Sequence, residues 1–227
     1  MVKVKICGVK DKAIAACCIE EKVDYIGLVF FAKSPRYIEL EKAVELADFI
    51  RSQGKKNHPH IVALTVNSDD IFLQKMHDML RPDYIQCHGN ETIERLQDIA
   101  TLTKTKLIKA FPIQQEQDIA IAKDFYAAFA HFLPLFDTKP PKNALLPGGN
   151  GAIFDWTLLQ NWDHTIPYIL SGGLNAENVQ QAMNTSQAPI IDISSGVESE
   201  KGVKSAKMIK EFVKQVRCHD NITTKIK

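Results

Sequence analysis

Short apolar runs alternate with amphipathic stretches along almost the whole chain. Val2–Cys7, Tyr25–Phe30, Ile61–Val66, Tyr84–His88, Lys106–Phe111, His131–Phe136, Tyr168–Leu170 and Ile190–Ile193 are brief and rich in β-branched or aromatic residues. They are apolar on consecutive positions, which predicts parallel strands buried on both faces. The stretches between them carry helical stripes: Ala13, Ile14, Cys17 and Cys18; Leu40, Ala43, Val44 and Ala47; Ile93, Leu96 and Ala100; and Val203, Ala206, Phe212, Val213 and Val216. Asn67-Ser68-Asp69-Asp70 and Asn175-Ala176-Glu177 supply the polar caps that start helices. Eight strand–helix alternations predict an α/β protein, a (β/α)₈ TIM barrel, with an open doubly wound sheet as the competing topology. The barrel is expected over residues 1–218 as a single catalytic domain, followed by a polar tail at 219–227. A chain starting at strand 1 and ending after helix 8 implies no fusion partner. The longest stretch without a period runs from Asp137 to Ala152, and a loop of that length in a compact domain is usually functional. Its Pro140-Pro141 and Gly148-Gly149 pairs suit either a hinged lid over the site or a static proline-stiffened span.

Composition narrows the class. The chain has 227 residues, 45% hydrophobic and 24% charged, ample for one large core. A net charge of +1 gives no global field for nucleic acid or for a membrane surface. No segment approaches the roughly 20 apolar residues of a membrane span, and the N-terminus is no signal peptide. The five cysteines lack disulfide or zinc spacing, so a reducing cytoplasm is expected and no metal site is implied.

In a barrel of this kind the chemistry sits at the C-terminal strand ends. Cys7, His88, Asp137, Ser171-Gly172-Gly173 and Asp192-Ile193-Ser194-Ser195-Gly196 fall there, with Arg36 in the loop after strand 2. Gly172, Gly173, Ser194, Ser195 and Gly196 form two Gly/Ser turns at successive strand ends, the usual phosphate site of such barrels; tight turns alone are the other reading. Cys7 is either a small buried apolar residue or a base. A helix starting close behind it favours the base, because a helix N-terminus lowers a nearby thiol's pKa. Asp137, closing an apolar strand, suits a general acid or a loop cap. Arg36 offers a planar cation for a carboxylate unless it is simply a solvated surface residue, and His88 is either a site residue or part of the barrel rim.

Taken together, Lys5-Ile6-Cys7-Gly8, Ser34-Pro35-Arg36-Tyr37, Gln86-Cys87-His88-Gly89, Asp137-Thr138, Gly148-Gly149-Asn150-Gly151 with Phe154-Asp155-Trp156, Leu170-Ser171-Gly172-Gly173-Leu174 and Asp192-Ile193-Ser194-Ser195-Gly196-Val197-Glu198 resemble the signature blocks of the phosphoribosylanthranilate isomerase family, in the family's order. The resemblance implies a cofactor-free Amadori rearrangement in tryptophan biosynthesis, N-(5-phosphoribosyl)anthranilate becoming a 1-deoxyribulose 5-phosphate. It implies Cys7 as base, Asp137 as acid, Arg36 and Asp192 at the anthranilate end, and the Gly/Ser turns on phosphate. Partners are then a phosphorylated small molecule and, for assembly, a monomer or homodimer. Two positions depart from the family pattern: Cys87 stands where an aliphatic residue is expected, and Asn150 where threonine is frequent. Competing classes are an indole-glycerol-phosphate synthase, which would need an acidic lysine such as Lys109, and a catalytically silent phosphate-sensing barrel, which should have lost Cys7 or Asp137.

Overall fold

The structure, a computed structural model, describes residues 1–54, 58–140, 148, 151 and 153–226, with side chains described up to 219 and not at 54. Eight parallel strands pair in sequence order and close into a barrel: β1 (Lys3–Cys7), β2 (Tyr25–Val29), β3 (His60–Thr65), β4 (Tyr84–Cys87), β5 (Lys106–Ile113), β6 (Phe132–Thr138), β7 (Ile169–Leu170) and β8 (Ile190–Ile193). Closure comes from β8 against β1, where Lys5 lies in register with Asp192. The helices α1 (Lys12–Glu20), α2 (Leu40–Gly54), α3 (Asp70–Leu80), α4 (Ile93–Thr103), α5 (Glu116–Ala128), α6 (Val179–Ser186) and α7 (Ala206–Ile226) cover it. No helix among the described residues is long and apolar enough to cross a membrane.

Both faces of each strand are buried, but they do different work. Val4 and Ile6 on β1, Ile61 and Ala63 on β3, Ile85 and Cys87 on β4, and Ile191 and Ile193 on β8 join the core shared with the helices. The alternate residues point into the barrel, as the period of two requires. Tyr25, Val62, Ile108, Ala110, Leu135, Ile169 and Ile190 fill its middle, and Cys7, Val29 and Leu64 form a small apolar layer above them. Cys87 therefore packs on helices rather than in the site, where a small apolar side chain is well tolerated.

Several expected elements differ. Among the described residues the crossover from β6 to β7 holds a 3₁₀ turn, Trp156–Asn161, and no α-helix. Only six residues separate Asp155, which caps the turn through the Thr157 amide, from Trp162, whose amide ends it by donating to the Leu159 carbonyl. Val203, expected on the last helix, lies instead in the hairpin β9 (Glu198–Glu200) and β10 (Val203–Lys204). The last helix continues to Ile226, so the backbone at 219–226 is helical rather than a tail, and His219 Nε2 lies 2.8 Å from Asn184 Oδ1. His88 falls just beyond β4, and Asp137 is inside β6 rather than after it.

Lys109 on β5 points away from the mouth. Its ammonium pairs with Glu91 at 2.7 Å and donates to the Gly89 carbonyl at 2.6 Å, while Glu91 accepts from the Asn67 and Gly89 amides. The pair ties the β3 and β4 loops together. Burial pushes the Glu91 carboxyl up, but the Lys109 charge and hydrogen bond and the amides bring it below the ordinary glutamate range. A depressed carboxylate stabilises the fold above its unfolded pKa and loses that contribution as the pH falls through the folded value. Lys109→Met, which strands a buried carboxylate, should cost about 3–5 kcal/mol in urea unfolding at neutral pH, with the deficit shrinking in acid.

Candidate active site

At the C-terminal ends of the strands the inward residues change from apolar to polar. They line a cavity at the mouth of the barrel. Cys7, Arg36, His88, Asp137, Gly172, Gly173, Asp192, Ser194 and Ser195 all line it. Gly196 does not. A Cβ there would lie 2.0 Å from the Leu174 carbonyl oxygen, so Gly196 lets the β8 turn pack on the β7 turn.

Cys7 sits 5% exposed beside Gly27, its register partner on β2. A Cβ at Gly27 would meet Cys7 Sγ at 2.9 Å and Cys7 Cα at 3.1 Å, so the missing side chain makes room for the thiol. The sequence suggests a thiol eased downward by the helix that follows, but its net shift is upward. Asp11 caps α1 through the Ile14 amide, and burial pushes the Cys7 thiol up. Lys5, Lys204 and Arg36 act downward and Asp192 upward, without reversing the burial effect. Gly27→Ala should displace Sγ and lower kcat by about tenfold or more with a smaller change in KM, since misplacement of a reacting group is costly. Steady-state kinetics checks this directly.

Asp137 faces the mouth from β6. Its Oδ1 accepts from the Thr138 amide at 2.8 Å and its Oδ2 lies 3.3 Å from His88 Nε2. Gln86 Nε2 lies 2.8 Å from His88 Nδ1. With the amide in this orientation Nδ1 accepts, so Nε2 carries the hydrogen and turns it toward Asp137. Gly148 closes over both groups: a Cβ there would sit 2.6 Å from Asp137 Oδ2 and 2.8 Å from His88 Nε2. His88 thus lines the cavity beside Asp137. The rest of the proposed lid, 141–147, 149, 150 and 152, lies outside the described residues.

Arg36 is buried rather than solvated, and its fork is not open. Nε and Nη2 donate to the two Glu198 oxygens at 2.7 and 2.9 Å. Lys204 joins Glu198 at 2.6 Å and also donates to the Ser194 carbonyl at 2.9 Å. Against the upward push of burial, Arg36 and Lys204 hold the Glu198 carboxyl at about 2. Asp192 accepts from Lys5 at 2.8 Å and from Ser171 Oγ at 3.1 Å.

The two Gly/Ser turns have the backbone an anion needs. Gly172 and Gly173 have φ of +94° and +62°, a region open to glycine. A Cβ at Gly172 would also strike Thr138 Oγ1 at 2.3 Å. Among the described residues the amides of these glycines donate to no acceptor, so both remain available to a ligand oxygen. Sequence reasoning left Lys5, Gln86, Glu198 and Lys204 without roles, although the first three lie in the quoted blocks. Gly27 carried a legible signal, since a glycine inside a strand marks close approach.

A family model for N-(5'-phosphoribosyl)anthranilate isomerase matches residues 4–215. The chain belongs to this family. It is 42% identical over 215 residues to the N-(5'-phosphoribosyl)anthranilate isomerase of Bradyrhizobium diazoefficiens, covering 95% of this chain and 93% of that one. Against the Nitrobacter hamburgensis protein of the same name it is 44% identical, covering 95% and 92%. The crystal structure of phosphoribosyl anthranilate isomerase from Thermotoga maritima superposes with a TM-score of 0.84 at 32% identity, covering 96% of this chain and all 100% of that one. A phosphoribosyl anthranilate isomerase solved with reduced 1-(o-carboxyphenylamino)-1-deoxyribulose 5-phosphate gives 0.80 at 30% identity, covering 96% and 100%. The N-(5'-phosphoribosyl)anthranilate isomerase family is one of enzymes, so the chain is an isomerase of tryptophan biosynthesis built on a TIM barrel. Lys109, paired with Glu91 outside the mouth, leaves the synthase alternative without its acid.

Proposed function

We propose that this mouth isomerises N-(5-phosphoribosyl)anthranilate to 1-(2-carboxyphenylamino)-1-deoxyribulose 5-phosphate, with Asp137 as acid and Cys7 as base. The observation that carries the reading is that these two residues, from β6 and β1, face one cavity that also holds two glycine amides without partners. The phosphate would sit on the turns after β7 and β8, held chiefly by backbone N–H groups. The Arg36 side lies nearest the Glu198 hairpin and would take the anthranilate carboxylate. Because Glu198 occupies Nε and Nη2, the carboxylate would meet the remaining Nη1 edge, with Asp192 alongside.

Asp137 gives its proton to the furanose ring oxygen. The C1–O bond breaks, and the nitrogen lone pair forms a protonated Schiff base. Cys7 thiolate then takes the proton from C2, leaving an enolamine that tautomerises to the ketone, with no atom gained or lost overall. His88 and the Thr138 amide keep the Asp137 carboxyl pointed at the ring. The compartment we propose is the cytoplasm, where the five cysteines, all free, stay reduced.

The test is turnover of freshly made phosphoribosylanthranilate, followed by loss of anthranilate-type fluorescence; purified protein without such turnover would overturn the assignment. A phosphate soak should place the anion between Gly172-Gly173 and Ser194-Ser195. An anion bound elsewhere, with these turns empty, would count against the phosphate end.

A further inference from the structure

Two lysines are buried in the barrel strands, and their surroundings differ. Lys109 has a structural task, because its ammonium and its partner Glu91 both bind loop backbone. Lys5 is 0% exposed, and among the described residues its ammonium hydrogen-bonds no backbone atom; Asp192 Oδ1 accepts from it at 2.8 Å, and the Cys7 thiol is its second side-chain partner. A buried ion pair is weak as a source of stability, since well-packed apolar residues of the same volume often serve as well. Lys5 and Cys7 are two residues apart on β1 and so share its inward face. Asp192 is the register partner of Lys5 on β8, and Ser171 Oγ, from the end of β7, holds its other oxygen. The pair therefore lies beneath the thiol, fixed from three strands.

We infer that Lys5 is a positioning residue of the isomerisation: anchored by Asp192 under the mouth, its ammonium is the counter-charge on which Cys7 holds negative charge. The inference rests on the reading of Cys7 as the base. The groups facing the thiol are Lys5 from its own strand, Asp192 from β8, Lys204 from β10 and Arg36 from the loop after β2. Lys204 and Arg36 share Glu198, as Lys5 is paired with Asp192, so each of these cations acts on the sulfur from within an ion pair. Lys5 is the strongest of the three cations acting on the sulfur, and the sulfur in turn favours the charged form of Lys5. Neutralising Lys5 should therefore make the thiolate harder to form.

The experiment is the pH profile of iodoacetamide alkylation at Cys7, read peptide by peptide in a Cys218→Ser background that removes the exposed thiol. Lys5→Met should move the alkylation midpoint up by about one pH unit or more, the effect of losing an opposite charge at close range. Below the midpoint, alkylation at fixed pH should be about tenfold slower. Because Lys5→Met strands Asp192, the double variant Lys5→Met/Asp192→Asn is run beside it and carries the test if the single one does not fold. Because Asp192 itself pushes the thiol up, the double variant is read against Asp192→Asn alone. A midpoint higher in the double variant than in Asp192→Asn supports the inference, and an equal one overturns it. The readout needs no turnover. If Cys7→Ala kept full activity, the base assignment would fail while the thiol titration still stood.

Discussion

Cys7→Ala is expected to lower turnover by about a hundredfold or more while leaving the barrel folded. Removal of a positioned base typically costs that much. The structural cost is small, because only one sulfur leaves a thin apolar layer shared with Val29 and Leu64; about 1 kcal/mol is the scale for such a deletion. The pH dependence has a definite sign. Burial raises the Cys7 thiol, and the base form is the thiolate, so kcat/KM of the wild type should climb as the pH rises from neutral into the alkaline range. Cys7→Ala should lose that limb together with the rate. Single-turnover rates and thermal unfolding of the same preparation separate the two effects. Near-wild-type turnover in the variant would remove Cys7 from the mechanism.

Asp137→Asn should be as damaging to turnover, about a hundredfold or more, and nearly silent in stability. Asparagine is isosteric, and its carbonyl can still accept from the Thr138 amide where Oδ1 does now. The new NH₂ would face a His88 Nε2 that now carries hydrogen, but the network can reset. Among the described residues Gln86 Oε1 is buried without a partner. Rotation of that amide would present an acceptor to His88 Nδ1, moving the imidazole hydrogen there and leaving Nε2 to accept from the asparagine. A large drop in kcat with an unfolding midpoint close to wild type is the expected pair of results. If kcat survived, the acid would have to be another group.

Strand order and placement were legible because the strands are mostly apolar runs buried on both faces, a pattern that few short segments other than buried parallel strands show. Cys7, Asp137, Asp192 and the two Gly/Ser turns were legible for a related reason. They are polar or small residues at the ends of apolar runs, and barrel architecture sends all such ends to one mouth. The 3₁₀ turn before β7, which stands among the described residues where a helix was expected, was not legible, since the apolar spacing around Trp156 and Trp162 fits one tight turn as well as a helix.

What the sequence determined by itself is the alternation that builds the barrel and the list of groups at its mouth, because both depend on local periodicity and on strand ends. Their electrical state depended on the tertiary structure. Lys5 meets Asp192 across 187 positions and Arg36 meets Glu198 across 162, contacts created by barrel closure and by the β9–β10 hairpin. Those pairs leave Arg36 without an open fork and set a counter-charge beneath Cys7. The thiol was expected to be eased by a helix end; it is instead raised by burial. Desolvation depends on everything packed around a group, and that environment is assembled only when the ring of strands closes.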